Sequence, residues 1–355
     1  MKKILITSYN LDFGGIEKSL LTLLKNFDYK KYDVTLVLER KEGVFLKDIP
    51  NSVKVKEYRV SENKNIIIRK VINLLKRIKW LIFNYKKYDS SICYATYSIP
   101  GSFLSLSSSN NNILFVHSNY KYIYDKNGLY DFFNKRNVFK YNSIVFVSNE
   151  SKNDFIKFYP ELKDKCNVIN NLVDCDDIIK KSKEKLDYKK DDNKIVLFVG
   201  RLEEDSKRIT KILSLASNLK DIKFLIIGDG PDKKMYEDII SKENLKNVEM
   251  LGAKKNPYPY FLISDYVILT SKYEGFPVVY NEAIVLNKPI ITTIDVTDDY
   301  ISIPNRFGYV IKDIDEAEKI LKSKALNMEK VDFNKLNKKR IEKIEKLLEG
   351  NDAKV

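Results

Sequence analysis

Two short apolar runs, Tyr266–Leu269 and Pro289–Thr292, constrain the fold of this chain more than any other feature. Each has the length and composition of a strand that is buried on both faces of a sheet. The residues between them suffice for a tight turn and one helix. Two parallel strands need such a crossover, so this part of the chain is predicted to form a βαβ unit within a parallel sheet.

The turn of this unit has the features of an anion site. Gly275 lets the backbone turn sharply and lets a ligand come close. Pro277, which follows Phe276, suits the first position of a helix, where its missing N–H costs nothing. The amides from Val278 onward then point out of a helix N-terminus, a place suited to a phosphate.

Two glutamates flank this turn. Glu274 precedes it and Glu282 lies eight positions later, a little over one helical turn into the helix. Both carboxylates are expected to face the ligand side, where they would accept hydrogen bonds from sugar hydroxyls. The alternative is a strand–loop–helix unit with two surface glutamates, because one such pair occurs often by chance.

Length and composition set broad limits. With 355 residues, two domains are expected, and 44% hydrophobic residues suffice for packed cores. The net charge of +14 indicates an anionic partner: a membrane surface, a nucleic acid or a phosphorylated substrate. The start, Met1–Ile6, is too short and too soon polar for a signal peptide, and no run has the length of a membrane span. Three cysteines without framework spacing favour the cytoplasm.

Strands and helices alternate along the chain, which predicts a doubly wound α/β domain on each side of a charged, irregular linker at Asp176–Asn193. A charged amphipathic helix is predicted at Asp332–Leu348. The other predicted strands are Ile4–Ile6, Val34–Leu38, Val53–Val55, Ser91–Tyr94, Ile113–Val116, Ile144–Val147, Ile195–Val199, Phe224–Ile227, Val248–Leu251 and Gly308–Val310.

Two weaker signals follow predicted strands in the first half. Gly14 and Gly15 end a loop before a helix, where phosphate or sugar could approach the backbone, although a plain strand–helix turn fits equally well. His117 is the only histidine and follows a strand at its carboxyl end, the edge at which open α/β sheets bind ligands. A lone histidine is more often structural than catalytic.

The segment Lys64–Lys87 is basic and apolar at once, with no acidic residue and the only tryptophan, Trp80. This pattern predicts an amphipathic helix that lies on an anionic membrane surface. An ordinary domain helix with a solvated basic side is the equal alternative. Its basic residues are Lys64, Arg69, Lys70, Lys76, Arg77, Lys79, Lys86 and Lys87.

The sequence lacks the motifs of several classes of enzyme. The chain has no C-x-x-C, H-E-x-x-H or G-K-[ST] motif, which argues against metalloprotease and P-loop chemistry. The full G-x-G-x-x-G fingerprint is missing, which argues against a dinucleotide dehydrogenase. Asp174-Cys175-Asp176 is formally a D-x-D, which we interpret as chance.

The string E-G-F-P-V-V-x-x-E-A, followed by x-P-I-I-T, resembles the donor-site motif of retaining glycosyltransferases of family 4, which have the GT-B fold. The string GRLEEDSKRITKIL is similar to that family's G-R-L…K-G segment, but Lys207 stands one residue later than usual and Arg208 replaces the common Gly. Asn287 replaces another usual Gly, at a helix end where Asn accepts left-handed geometry. N-P-Y-P-Y at Asn256–Tyr260 is similar to a bacterial subgroup that builds surface polysaccharides.

The resemblance implies an α/β GT-B fold, two Rossmann-like doubly wound domains facing across a cleft. Residues 1–178 would form the N-terminal acceptor-binding domain, 179–328 the C-terminal nucleotide-sugar-binding domain, and 329–355 a C-terminal helix that crosses back. The implied activity is transfer of a hexose or N-acetylhexosamine from a nucleotide diphosphate sugar, with UDP the expected nucleotide, to a glycan or lipid-linked oligosaccharide. No metal cofactor is expected.

The resemblance also implies a role for each matched residue. Arg201 and Lys207 would stabilise the diphosphate leaving group. Glu282 would accept hydrogen bonds from the ribose. Glu274, with the backbone of Gly275, Phe276, Pro277 and Val278, would hold the transferred sugar and phosphate. His117 would position the sugar or acceptor, and Gly14 and Gly15 would line the cleft floor near the donor.

Other interpretations stay open. A non-catalytic glycosyltransferase-like partner, which stabilises or recruits another enzyme, is allowed by the departures around Lys207. A GT-B sugar-nucleotide epimerase would be expected to need more acid/base side chains than this sequence shows. A nucleic-acid-binding protein rests on net charge alone and no recognition motif supports it. The expected location is cytoplasmic, peripheral on the inner face of the cell membrane, with the Lys64–Lys87 helix on anionic lipid.

Overall fold

The computed structural model describes residues 1–188, 190–295, 303–304, 306–323, 326 and 328–350. Within these the chain forms two compact units. Unit 1 comprises residues 1–172 together with the chain from residue 335 onward, and unit 2 comprises residues 173–334. Each unit has its own parallel sheet and its own hydrophobic core.

The sheet of unit 1 has seven parallel strands in the order β3-β2-β1-β4-β5-β6-β7. The strands are β1 Lys2–Ser8, β2 Tyr32–Leu38, β3 Lys54–Glu57, β4 Ser90–Cys93, β5 Asn111–Val116, β6 Ser143–Phe146 and β7 Cys166–Val168. The helices between them are α1 Gly15–Lys25, α2 Ile66–Asn84, α3 Ile99–Ser108, α4 Lys126–Asn134 and α5 Asn149–Phe158.

In the described part of unit 2 the sheet has six parallel strands in the order β10-β9-β8-β11-β12-β13. The strands are β8 Lys194–Val199, β9 Ile222–Ile227, β10 Val248–Gly252, β11 Tyr266–Leu269, β12 Ile290–Thr292 and β13 Gly308–Val310. The helices are α6 Cys175–Ser182, α7 Glu204–Lys207, α8 Thr210–Asn218, α9 Lys233–Lys242, α10 Tyr258–Ile263, α11 Val278–Val285 and α12 Ile314–Lys322, and α13 Phe333–Glu349 follows.

Both sheets have the strand order of doubly wound nucleotide-binding domains, in which the direction of winding reverses beside the first strand. The reversal lies between β1 and β4 in unit 1 and between β8 and β11 in unit 2. Ligands of such sheets bind beyond the carboxyl ends of the strands at this switch point. The loops after these four strands are therefore the places to look for a site.

The helix α13 packs on the core of unit 1, where Ile344 and Leu348 are buried with the β1 and β2 side chains. Ser90 Oγ donates to the Leu348 carbonyl at 2.7 Å, and Asn111 Nδ2 donates to the Leu347 carbonyl at 2.7 Å. These side chains cap carbonyls that the end of a helix leaves without partners. Residues 351–355 of the predicted C-terminal segment lie outside the described residues.

The predicted strands are all present, with ends that differ by a few residues, but two predictions about the middle of the chain were wrong. The strand β7 was not predicted. The supposedly irregular linker Asp176–Asn193 begins inside α6. Asp174 Oδ1 accepts a hydrogen bond from the Asp177 amide at 3.1 Å, so the first aspartate of the D-x-D pattern is the N-cap of this helix.

Candidate active site

Arg201 lies directly after β8, at the switch point of unit 2. The turn before it is held by the end of β9: the Gly200 amide donates to the Ile227 carbonyl at 3.0 Å. A Cβ on Gly228 would lie 1.8 Å from the Gly200 carbonyl oxygen, so only glycine allows this approach. The Arg201 side chain is 67% exposed, with Glu203 at 3.8 Å. Its guanidinium is therefore accessible to a ligand.

Lys207 and Glu274 form an ion pair within unit 2. Glu274 lies in the loop after β11, and Lys207 is the last residue of α7. Ser271 Oγ also donates to Glu274 Oε1, at 2.7 Å. Both side chains are mostly buried, so solvent screens their attraction less than it would on an open surface. The unusual spacing of Lys207 thus still brings its ammonium group to a glutamate of the predicted site.

The contacts of Arg208 explain how the chain tolerates the one-residue shift of Lys207. It has a φ of 50°, in the left-handed region where glycine is favoured, and it ends α7. Its Nε donates to the Thr270 carbonyl at 2.8 Å and its Nη2 to the Ser271 carbonyl at 2.5 Å. In return, the Thr270 hydroxyl lies 2.8 Å from the Lys207 carbonyl oxygen. Arg208 therefore fastens the end of α7 to the loop that carries Glu274.

Replacing Arg208 with alanine is expected to lower the free energy of unfolding by about 2 kcal/mol, because two carbonyls lose charged donors. Arg208→Gly loses the same bonds but adopts a φ of 50° without strain, so it should be about 1 kcal/mol more stable than Arg208→Ala. Urea unfolding of the two variants beside the wild type checks both differences. Equal midpoints for the two variants would contradict the strain argument.

The turn after Glu274 differs in detail from the prediction. Pro277 is the N-cap residue of α11, with a ψ of 122°, so the helix begins at Val278, one residue later than predicted. Gly275 is not among the described glycines with positive φ, so the turn itself does not require glycine there. Close approach of a ligand at Gly275 stays a prediction. The described hydrogen bonds include none donated by the Val278 or Val279 amide.

Glu282 is buried in unit 2, with 1% of its surface exposed. Its Oε1 accepts a hydrogen bond from the hydroxyl of Tyr258, on α10, at 3.0 Å. Burial, followed by the charge of Glu282, raises the pKa of Tyr258 well above its ordinary value, so this hydroxyl stays a donor. A carboxylate accepts up to about four hydrogen bonds, so Tyr258 does not by itself saturate Glu282. The prediction that both glutamates face the ligand side stays a prediction, and Glu282 is buried in this structure.

In unit 1, Gly14 and Gly15 lie at the start of α1, and the space above Gly14 is filled. A Cβ on Gly14 would lie 2.0 Å from Glu17 Oε2. The Glu17 carboxylate folds over the helix N-terminus and accepts a hydrogen bond from the Tyr97 hydroxyl at 3.3 Å. Burial raises the pKa of Glu17, and the hydrogen bonds it accepts oppose this rise. A carboxylate already occupies the place where a phosphate would bind, which leaves hydrogen-bond donors as the better ligands there.

His117 is buried in unit 1 between aromatic rings. Its ring centroid lies 4.5 Å from that of Tyr94 and 5.9 Å from that of Phe115. Neither ring nitrogen has a hydrogen-bond partner of normal geometry among the described residues. Burial lowers the pKa of His117 to about 3, with the Tyr94 backbone opposing part of the effect. The imidazole is therefore neutral at physiological pH.

Sequence reasoning missed two buried polar groups, Glu17 and Glu39. Glu39 follows β2 and accepts a hydrogen bond from Ser98 Oγ, and burial raises its pKa. A signal existed for Glu17, because a glutamate at the third position of a helix often folds back on the N-terminus. No comparable signal marked Glu39, whose partner lies on α3.

Two family models cover nearly all of this chain. The model described as Glycosyltransferase Family 4 matches residues 13–177, and the model described as Glycosyl transferases group 1 matches residues 179–346. The chain belongs to the family 4 glycosyltransferases. The first match contains Gly14 and His117, and the second contains Lys207, Glu274 and Glu282.

Curated relatives of this glycosyltransferase come from bacteria and archaea. An uncharacterised glycosyltransferase of Methanocaldococcus jannaschii is 26% identical over 63% of this chain and 58% of its own length. The N-acetylgalactosamine-N,N'-diacetylbacillosaminyl-diphospho-undecaprenol 4-alpha-N-acetylgalactosaminyltransferase of Campylobacter jejuni is 25% identical over 82% of this chain and 81% of its own length. The chain thus spans less than two thirds of the first relative and most of the second.

Solved structures support the GT-B fold. Anabaena HepE in complex with UDP and glucose superposes with a TM-score of 0.74 at 17% identity, covering 97% of this chain and all of that one. A mutant of Staphylococcus aureus TarM in complex with fondaparinux, alpha-GlcNAc-glycerol and UDP gives a TM-score of 0.70 at 18% identity, covering 98% of each chain. The glycosyltransferase therefore has two Rossmann-like domains of the GT-B type, as predicted.

Two features are absent from the part of the glycosyltransferase that the structure describes. None of the helices in this part of the chain combines the length and apolar character needed to cross a bilayer. No three histidine, cysteine, aspartate or glutamate side chains in the same part are grouped as a metal site.

Proposed function

We propose that this glycosyltransferase transfers a hexose or N-acetylhexosamine from a UDP-linked donor to a lipid-linked glycan, with retention at the anomeric carbon, in the synthesis of a bacterial surface polysaccharide. Unit 2 binds the donor and unit 1 binds the acceptor. The ion pair between Lys207 and Glu274, placed at the switch point of unit 2 near the exposed Arg201, carries this proposal.

The chemistry follows from charge. When a sugar leaves a nucleotide diphosphate, negative charge grows on the departing phosphate, and fixed cations nearby stabilise it. Lys207 and Arg201 supply two cations, and the amides at the start of α11 supply donors. With these groups the departure of the diphosphate needs no metal, and the departing phosphate itself takes the proton of the acceptor hydroxyl. Glu274 then binds hydroxyls of the transferred sugar besides orienting Lys207.

The nucleotide and the acceptor are proposed from relatives. Anabaena HepE is described in complexes with UDP, UDP-glucose and glucose, which favours UDP. The Campylobacter relative is named for a diphospho-undecaprenol acceptor, which favours a lipid-linked glycan. In unit 1 the Glu17 carboxylate at the start of α1 suits sugar hydroxyls as ligands, and the neutral His117 positions the sugar or acceptor.

The helix α2 supports a membrane-bound acceptor, because large apolar side chains lie exposed on it beside its basic residues. Ile67 is 74% exposed and Ile82 is 71% exposed. On the protein side, Trp80 is buried in a hydrophobic cluster and donates from Nε1 to Ser108 Oγ at 3.1 Å. We infer that α2 lies on anionic lipid at the inner face of the cell membrane.

Nucleotide binding tests the donor site. Thermal unfolding with UDP, GDP, ADP and their sugar conjugates should show a shift with UDP compounds of about 2.7 kcal/mol in stability at a hundred times the dissociation constant. Glu282→Ala should lose this shift, because the ribose loses its acceptor. Each variant is compared with its own ligand-free baseline, since Glu282 is buried and its loss also lowers stability.

Asp154→Asn is the matched control. Asp154 is also a buried carboxylate, but it lies in unit 1 and is bonded to Asn119 and Lys157. This variant should keep the full UDP shift. If no nucleotide stabilises the wild-type protein, the donor site is contradicted and a non-catalytic partner protein becomes the better interpretation.

A further inference from the structure

A chain of buried side chains joins the two places at which the backbone leaves and re-enters unit 1. The backbone leaves after residue 172 and returns at residue 335. Arg340 Nη1, on α13, donates to the Asn171 carbonyl at 2.8 Å. Asn171 Oδ1 accepts from Ser19 Oγ, on α1, at 2.7 Å, and Ser19 Oγ lies 2.6 Å from the Tyr94 hydroxyl.

Counting protons fixes the direction of these bonds. A serine hydroxyl has one hydrogen, and the Ser19 hydrogen goes to Asn171 Oδ1, which is an acceptor only. The Tyr94 hydroxyl must therefore donate to Ser19 Oγ. Burial raises the pKa of Tyr94, so this hydroxyl keeps its proton. The bonds thus run one way, from Tyr94 through Ser19 to Asn171.

The Tyr94 ring is the largest neighbour of His117. The two ring centroids are 4.5 Å apart, and Tyr94 also stacks on Phe115 at 5.0 Å. The imidazole packs against these rings, and the Tyr94 backbone also interacts with it. Whatever fixes the Tyr94 ring therefore fixes the His117 ring.

We propose that Ser19, Asn171 and Arg340 are positioning residues that hold Tyr94, and through it the His117 ring, in the orientation used for transfer. The proposal rests on the proposed function for the role of His117 in transfer, although its structural part stands without it. These hydrogen bonds connect the two places at which the backbone leaves and re-enters unit 1 with His117, at the carboxyl edge of its sheet. A displacement of Asn171 or of α13 would then be transmitted to the imidazole.

The single histidine makes a direct test possible, because the imidazole gives one set of resonances in a proton–carbon correlation spectrum of the full chain. Ser19→Ala should shift the His117 Cε1–H resonance. Because burial lowers the pKa of His117, a ring that Tyr94 no longer holds in place should also titrate at a higher pH than the wild-type ring. Tyr94→Phe, which keeps the ring, should move the signal in the same direction.

Transfer kinetics give the second readout. Ser19→Ala should lower kcat about tenfold while the KM for the donor stays within twofold, because the donor groups lie in unit 2 and only the orientation of His117 has changed. If UDP compounds do not stabilise the wild-type protein, the proposed function is contradicted. The resonance and the pKa of His117 would still show whether Ser19 and Tyr94 position the imidazole.

Ser91→Ala is the matched control. Ser91 is fully buried in unit 1, and its Oγ lies 2.7 Å from Asn112 Oδ1 and 2.9 Å from the Ser105 carbonyl oxygen, so it contacts a buried asparagine as Ser19 does. This control should lose similar stability and leave the His117 resonance unchanged. If Ser19→Ala and Tyr94→Phe both leave the resonance and pKa at wild-type values, or Ser91→Ala shifts them equally, the proposal is wrong.

Discussion

Replacing Lys207 with methionine is expected to lower kcat for sugar transfer by about 10²–10³-fold. Methionine keeps the length of the side chain and removes only the charge. The ammonium group is held by Glu274 at the switch point of unit 2, where the departing diphosphate is proposed to lie. Loss of one fixed donor to such a developing charge costs about 2.7–4 kcal/mol in other enzymes, and the expected rate loss corresponds to this range.

A double variant separates the two roles that Glu274 could have. If Glu274 acts only by orienting Lys207, then Lys207→Met combined with Glu274→Gln should be as slow as Lys207→Met alone. If Glu274 also binds the transferred sugar, the second change should lower kcat/KM further. Ser271 Oγ, which donates to Glu274 Oε1 at 2.7 Å, can still orient the glutamine. We expect the further loss, because Glu274 is proposed to contact the sugar.

The control is Lys234→Met in the same unit. Lys234 is 79% exposed and pairs with its helix neighbour Asp238 at 2.8 Å, an interaction of little energetic value. This variant should match the wild type in kcat. A Lys207→Met enzyme within threefold of the wild type would remove the leaving-group role from Lys207 and return it to a structural ion pair.

The course of the chain could be predicted because it depends on local patterns. Apolar runs of four to six residues, each followed by a turn and an amphipathic segment, specify parallel strands and crossover helices. Local patterns also predicted the backbone conformation of Asn287. Its left-handed φ of 54° was expected from the residue type and its place at a helix end. The edge strand β7 was missed because the polar Asn167 stands at its centre, so its three residues form no apolar run.

The orientations and partners of the side chains could not be predicted in the same way, because they depend on contacts between distant segments. The one-residue shift of Lys207 could be judged only once Arg208 was seen to bind the carbonyls of Thr270 and Ser271. The same holds for Glu39, which accepts a hydrogen bond from Ser98, the N-cap of α3. Both cases follow from packing that no local window of sequence contains.

The helix α2 is a case in which the sequence predicted the element but not its orientation. Apolar and basic residues interleave so closely that either face could have packed on the domain. The structure buries Trp80 and Asn84 and leaves most of the large apolar residues in solvent. A stable domain usually does the reverse, since exposing apolar side chains forfeits the free energy of burying them. A surface of this kind needs a partner that covers it.

Replacing Ile67, Leu75 and Ile82 with serine is expected to weaken binding to anionic vesicles by about 10²-fold. These three side chains lie on the exposed face of α2. Partial burial of each in the lipid interface contributes roughly 1 kcal/mol, so three contribute about 3 kcal/mol. Because they make few contacts within the protein, the free energy of unfolding should stay within about 0.5 kcal/mol of the wild type. Vesicle co-sedimentation and urea unfolding measure the two quantities.

The charges of α2 make a separate contribution that a second variant isolates. Arg69, Lys70 and Lys79 lie on the helix, and the segment 64–87 has no acidic residue to offset them. Each basic residue near an anionic bilayer contributes about 1 kcal/mol, an interaction that salt screens. Replacing these three with glutamine should weaken binding to anionic vesicles by up to about 3 kcal/mol and reduce its salt dependence, while weak binding to zwitterionic vesicles is kept.

A control variant at exposed apolar residues outside α2 tests whether lipid is the partner that covers the apolar side chains of α2. Phe139 and Met235 are also exposed but lie outside α2, so a Phe139→Ser, Met235→Ser variant should bind vesicles as the wild type does. Equal loss in this control would show nonspecific adsorption. A second copy of this chain is the competing partner, and like-charged helices with no acidic residue would repel each other when they meet. Concentration-dependent dimers that the serine variant of α2 abolishes, without vesicle binding by the wild type, would therefore contradict the membrane proposal.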